Sequence, residues 1–220
     1  MGSVPKCIDI GNKARKLRNE ICDDVSEFLV VLAHNFLYRF GGCPLGEFRE
    51  YSFNSEVSAQ ICINECIAKY CQRSAHLANQ AMQKNNLETY EVSIENAHGE
   101  ALVAIRVTFR RTPDFINRTI HDLAEPELRR LRHNLGQVLL QLQSMVISNQ
   151  LRDKLYTTPT RLRIRLQLCA KEPKRLFKPT CETVLPPVLR PLTDVVRNEF
   201  NQLVFATYFI SDDPKGKQVG

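Results

Sequence analysis

The stretch KEPKRLFKPTCETVLPPVLRPL, residues 171–192, carries five prolines in 22 residues and constrains the fold more than any other segment. Proline lacks an amide hydrogen and fixes φ, so such a stretch can neither continue a helix nor occupy the middle of a sheet. It follows the clearest strand of the chain, TRLRIRLQL (160–168). There Leu162, Ile164, Leu166 and Leu168 alternate with Arg161, Arg163 and Arg165, placing leucines on one face and arginines on the other. Beyond the prolines, Val195 to Phe209 regains strand-like composition. The expectation is a long, directed connection between two strands of one sheet, and connections of this length in compact domains are usually functional.

The rest of the chain reads as alternating helices and strands. Ile21, Val25, Phe28, Leu32 and Phe36 recur at helical steps, with Asp23, Asp24 and Glu27 early in the run, where carboxylates favour the helix dipole. Gly41, Gly42 and Pro44 end that helix. A second helix is expected from Ser55 to Gln83. Strands are expected at 87–94 and 101–109, joined by a hairpin connection over 95–100. A third helix opens near Pro126, and its stripe of Leu131, Leu135, Val138, Leu142 and Met145 is expected to pack on a sheet. Residues 1–20 are polar and expected to form a flexible tail.

Composition sets limits. The chain has 220 residues, 43% apolar and 25% charged, which suits one soluble domain with a sizeable core. It contains no apolar run of transmembrane length, no signal-peptide core and no myristoylation pattern, since Lys6 stands where Ser or Thr is needed. An intracellular chain with no membrane partner is expected. The eight cysteines form no CxxC pair and read as reduced, packed thiols, not metal ligands. The Asn117 sequon then has no meaning. Residues 1–100 hold 10 basic against 13 acidic side chains and residues 101–220 hold 20 against 11, so the second half is strongly basic. That asymmetry keeps a nucleic-acid-binding domain open as an alternative, with Arg161, Arg163 and Arg165 as its contacts. No phosphate loop, GxGxxG, GxSxG or HExxH motif is present, and the histidines at 34, 76, 98, 121 and 133 fall at unrelated spacings. His34, inside the apolar first helix, reads as a core histidine. No catalytic residue and no cofactor is assigned.

Three stretches carry a family resemblance. SEFLVVLAHNFLYRFGGCPLGEF (26–48), AKYCQ (68–72) with AMQKNNLETYEVSI (81–94), and VLRPLTDVVRNEF (188–200) resemble the HORMA family. Within it they are most similar to the mitotic arrest-deficient-like branch, the noncatalytic accessory subunits of DNA polymerase zeta. The resemblance spans roughly residues 20–210. It implies an α+β HORMA fold: three long helices on a mainly antiparallel sheet, with residues 21–168 as the core. Residues 169–220 would supply the carboxy-terminal strands and a safety belt that wraps over a bound peptide. It also implies a nuclear adaptor for translesion synthesis and DNA repair. Such an adaptor clamps a proline-containing peptide of the polymerase catalytic subunit and bridges to a translesion scaffold polymerase. HORMA dimerisation and an AAA+ remodelling ATPase are implied as further partners. Tyr70 falls on the ligand-gripping tyrosine, Arg132 on the dimerisation arginine, and Leu189 and Phe205 on the scaffold contacts. The family pattern has a belt tryptophan and this chain has no tryptophan, so either Phe177 or another belt residue takes its place or the ligand preference differs. A spindle-checkpoint or meiotic HORMA adaptor with a different closure motif is the other reading within the family.

Overall fold

The structure, a computed structural model, describes residues 6–41, 43–55, 57–110, 124–169, 189–191, 196–197 and 204–211. Helix α1 (Lys6–Phe40) is the spine of the fold. Most of its second half is buried, with Val25, Phe28, Leu29, Leu32, Ala33 and Phe36 at 0% exposure. A helix with so wide an apolar surface must be covered, and here two later helices and three strands pack against it. Each fully buried phenylalanine or leucine contributes about 1.5–3 kcal/mol by leaving water. The helix stops at Gly41, whose N–H reaches the carbonyl of Leu37 at 2.7 Å. A Cβ at Gly41 would lie 2.6 Å from the backbone carbonyl oxygen of Leu37, which favours glycine there.

The start of α1 differs from expectation: residues 6–20 are helical, where a tail was expected. Leu17 is already buried, and a helix nucleated by packing propagates outward at little cost. A 3-10 turn (Leu45–Glu47) follows, then a hairpin of β1 (Phe48–Phe53) and β2 (Val57–Cys62). The first part of the expected second helix is therefore a strand. Val57 and Ala59 point inward together with Cys62, while Asn54 and Ser55 take φ of +49° and +58° at the turn. Helix α2 (Glu65–Gln83) begins only at Asn64, whose side chain accepts the N–H groups of Cys66 and Ile67.

The main sheet contains β3 (Leu87–Glu95), β4 (Ala101–Arg110), β5 (Arg161–Leu168), β6 (Leu189–Pro191), β7 (Val196–Arg197) and β8 (Val204–Ser211). Its order is β5-β3-β4-β8-β6, with β7 also on β8, and every pairing is antiparallel. Helix α3 (Ala124–Ser144) buries Leu131, Leu135, Val138 and Leu142, but against α1 and β2 instead of the main sheet. Helix α4 (Asn149–Thr157), a fourth helix beyond the three expected, is capped by Ser148 and anchored by Leu151 and Leu155.

Candidate functional site

Among the described residues, β5 is paired on one side only, to β3, and its other edge carries no strand. An unpaired edge is a row of N–H and C=O groups that a further extended chain can satisfy. One place on that row is already occupied. The N–H of Ile164 donates to the hydroxyl of Tyr70 at 2.9 Å, and the same hydroxyl reaches the Ile164 carbonyl at 3.5 Å. Both backbone groups of Ile164 therefore face away from β3. By the two-residue period of a strand, those of Leu162 and Leu166 face the open edge as well.

Helix α2 brings Tyr70 to this position and lays an apolar strip beside the edge. Tyr70 and Leu77 are seven residues apart, two helical turns on one face, and are 38% and 56% exposed. The helix runs alongside β5 in the same sense: just past its end, Asn86 accepts the N–H of Cys169 at 2.7 Å. Leu77 is thus displaced from Tyr70 toward the end of β5, where Leu168 is half-exposed. Beneath Tyr70 the fully buried Tyr90 hydroxyl has no hydrogen-bond partner, and burial holds it well above the usual tyrosine range.

On the opposite face of the same strands, the arginines of β5 are committed. Arg165 bonds Glu95, Glu91 and, at 3.1 Å, the Ser93 hydroxyl. Arg161 bonds Glu95 at 3.1 Å, and Arg106 on β4 grips Glu91 at 2.6 Å. Glu95 is 1% exposed at its side chain, so its charge depends on these guanidiniums. Of the three arginines offered to nucleic acid, only Arg163 has no carboxylate partner among the described residues.

The other residues singled out in the sequence lie apart from this edge. Arg132 sits on α3 and makes a two-pronged ion pair with Asp24 of α1, at 2.9 and 3.2 Å. Burial raises the Asp24 carboxyl above its ordinary value despite that arginine. Leu189 on β6 pairs with Ile210, and Phe205 on β8 pairs with Phe109 of β4 and with Val196. Both are at the far side of the sheet from β5. Phe177 lies outside the described residues. His34 is 1% exposed, and its Nδ1 accepts the N–H of Cys62 at 3.2 Å. Burial lowers its pKa to about 4, so the ring is neutral. Cys22 and Cys71 are buried thiols pushed up to about 11 and about 12, which keeps them protonated.

Among the described residues, no cluster of histidine, cysteine or carboxylate side chains is arranged to hold a metal. No described helix is long and apolar enough to cross a membrane. The sequence reading missed Leu77 and Leu168 as parts of the edge. The only available signal was an apolar residue on a helix face and another at a strand end, and neither reveals exposure.

No family model and no curated protein matches this chain. Solved structures do match in shape. A chain of the mitotic checkpoint complex superposes with a TM-score of 0.59 at 9% identity, covering 86% of this chain and 97% of that one. HTP-2 bound to HTP-3 motif-6 gives 0.59 at 12% identity, covering 87% and 91%. Caenorhabditis elegans HTP-1 bound to a HIM-3 closure motif gives 0.55 at 10% identity, covering 85% and 88%. At these identities the likeness shows the fold, and that fold is the α+β HORMA fold.

Proposed function

We propose that this chain is a nonenzymatic HORMA adaptor that takes a partner peptide as an added strand on the open edge of β5. The observation that carries the reading is the Tyr70 hydroxyl on the backbone of Ile164. A strand added there would normally exchange two hydrogen bonds with Ile164. Because the hydroxyl already serves both groups, the ligand residue opposite Ile164 needs no N–H of its own. Proline is the residue that lacks one. The edge is therefore built to accept a peptide whose chain is interrupted by proline at that register, with the Tyr70 ring and Leu77 offering apolar surface beside it.

The carboxy-terminal connection supports the belt mechanism. Leu189 is on β6, beyond β8, at the register level of Arg163, whereas Leu168 ends β5 at the other edge. From the strand spacing and rise, these points are about 25 Å apart. The twenty residues 169–188 can reach about 66 Å when extended, more than the direct path needs and enough to pass over an occupant of the edge. HTP-1 and HTP-2 are each solved with a bound motif, which favours the same mode here. Within the family we assign the chain to the polymerase zeta branch on its 26–48, 68–94 and 188–200 stretches. Its ligand is then a proline-containing segment of the catalytic subunit. Leu189 and Phe205, remote from β5, then serve the scaffold polymerase, and Arg132 a HORMA dimer, in a nuclear repair complex. Checkpoint and meiotic adaptors share the fold and would differ in the motif bound.

The test is co-purification with fragments of the catalytic subunit. A short proline-containing segment should be retained, Tyr70→Ala should weaken retention, and mass spectrometry of the retained peptide should separate this branch from the other two. Retention unchanged by both Tyr70→Ala and removal of residues 170–220 would overturn the mechanism.

A further inference from the structure

A second concavity lies away from the β5 edge, where the end of α1 meets the Cys-Pro-Leu-Gly loop and α4. It has a volume of about 510 Å³, and neither α2 nor β5 contributes to its lining. Its floor is apolar and fixed, with Phe40 and Leu155 both buried. Its walls are apolar and unusually exposed: Leu45 at 70%, Tyr156 at 75% and Tyr38 at 38%. The Tyr38 ring stands edge-on to Phe48 at 5.0 Å between centroids, so that wall is preformed. Isolated exposed apolar residues need no explanation, but three converging on one groove do.

The charge of the groove selects its occupant. Arg39 and Arg152 line it and no carboxylate does. Arg39 donates Nη2 to the carbonyl of Met145 at 2.6 Å, which fixes the guanidinium in place while leaving its other donors to spare. The Arg152 side chain is exposed and has no carboxylate partner among the described residues. Apolar walls with guanidiniums that pair with no carboxylate among the described residues match a short segment in which a bulky apolar side chain is flanked by aspartate or glutamate. We propose that this groove is a second docking site, for an acidic peptide with an aromatic or aliphatic anchor. The anchor enters between Leu45 and Tyr156, and the flanking carboxylates pair with Arg152 and Arg39. The site is independent of the β5 edge and lets one adaptor hold two partners.

The experiment uses the full chain and a fluorescent probe, Asp-Glu-Asp-Leu-Phe-Asp-Glu with both ends blocked, followed by anisotropy at low and physiological salt. Saturable binding is expected, weakened several-fold by added salt. Arg152→Glu should weaken it at least about tenfold, since it replaces attraction by repulsion at an exposed rim position. Leu45→Asp should weaken it similarly, while Tyr70→Ala should leave it unchanged. A probe with lysines in place of its acidic residues should not bind. Circular dichroism melts establish that the variants fold. The proposal is overturned if the acidic probe does not bind, or if Arg152→Glu binds it as well as the parent. It is equally overturned if Tyr70→Ala abolishes binding, which would place the probe on β5. Self-association lost in Arg152→Glu without probe binding would assign the groove to a second copy and also overturn it.

Discussion

Replacing Tyr70 by phenylalanine removes one oxygen and tests the central claim about the β5 edge. The hydroxyl accepts a good hydrogen bond from the Ile164 N–H at 2.9 Å and makes a longer one to the Ile164 carbonyl at 3.5 Å. At a partly exposed position such bonds each contribute about 0.5–1.5 kcal/mol, so the free protein should lose about 1 kcal/mol of stability. The ligand result is more informative. With tyrosine present, a proline opposite Ile164 leaves only its own carbonyl without its ladder partner, where any other residue leaves an N–H as well; with phenylalanine a proline strands the Ile164 carbonyl, which costs about 1–3 kcal/mol when covered. An alanine at the same ligand position supplies the missing N–H. Parent and Tyr70→Phe should therefore be titrated calorimetrically with a catalytic-subunit peptide and with its proline-to-alanine versions, completing a double-mutant cycle. The parent's preference for one particular proline should shrink by about five- to tenfold in the variant, a coupling of about 1 kcal/mol. If that preference is the same in both proteins for every proline, the hydroxyl does not stand in for the missing N–H.

Three further outcomes follow from the buried charges. Glu95 is enclosed while Arg161 and Arg165 are about half-exposed, so Arg161→Ala with Arg165→Ala should cost about 3–5 kcal/mol by stranding a carboxylate. Glu95→Ala should cost less, because the arginines recover water; urea titrations of both variants check the asymmetry. The His34 pKa of about 4 lies below its unfolded value, so the stability it supports is complete above about pH 6.5 and is lost as pH falls toward 4, by about 3 kcal/mol. His34→Asn, which keeps an acceptor for the Cys62 N–H, should flatten that part of the stability–pH curve. Asp24 is raised, so the folded state binds its proton more tightly and stability falls as pH rises from the unfolded carboxylate value through the folded one. Arg132→Ala should raise Asp24 further, making the variant's deficit in thermal melts larger at pH 7 than at pH 4. A deficit independent of pH would mean that Arg132 does not stabilise this carboxylate.

The parts of the fold legible in the sequence are those where one residue type has one physical outcome. Gly41 ends α1 because a Cβ there would crowd the Leu37 carbonyl, and Pro44 prevents its resumption because it has no N–H to continue the ladder. The alternation of 161–168 left little alternative to a strand. The hairpin at 48–62 was hidden because Val57 and Ile61 satisfy a helical spacing as readily as a strand one. Burial of Ala59 and pairing with Phe48–Phe53 decided between them, and both are tertiary facts. Helix α4 was hidden for the opposite reason: nine residues with two apolar anchors give too little period to recognise. The site divides the same way. Tyr70 could be named from family resemblance, but not the bond that gives it a role, because the register of β5 against α2 is written in no local pattern. That register turns a helix tyrosine into a backbone cap. For a peptide docked as proposed, the cap interrupts the ladder at Ile164, so a regular strand loses two bonds there while a proline-broken one loses one.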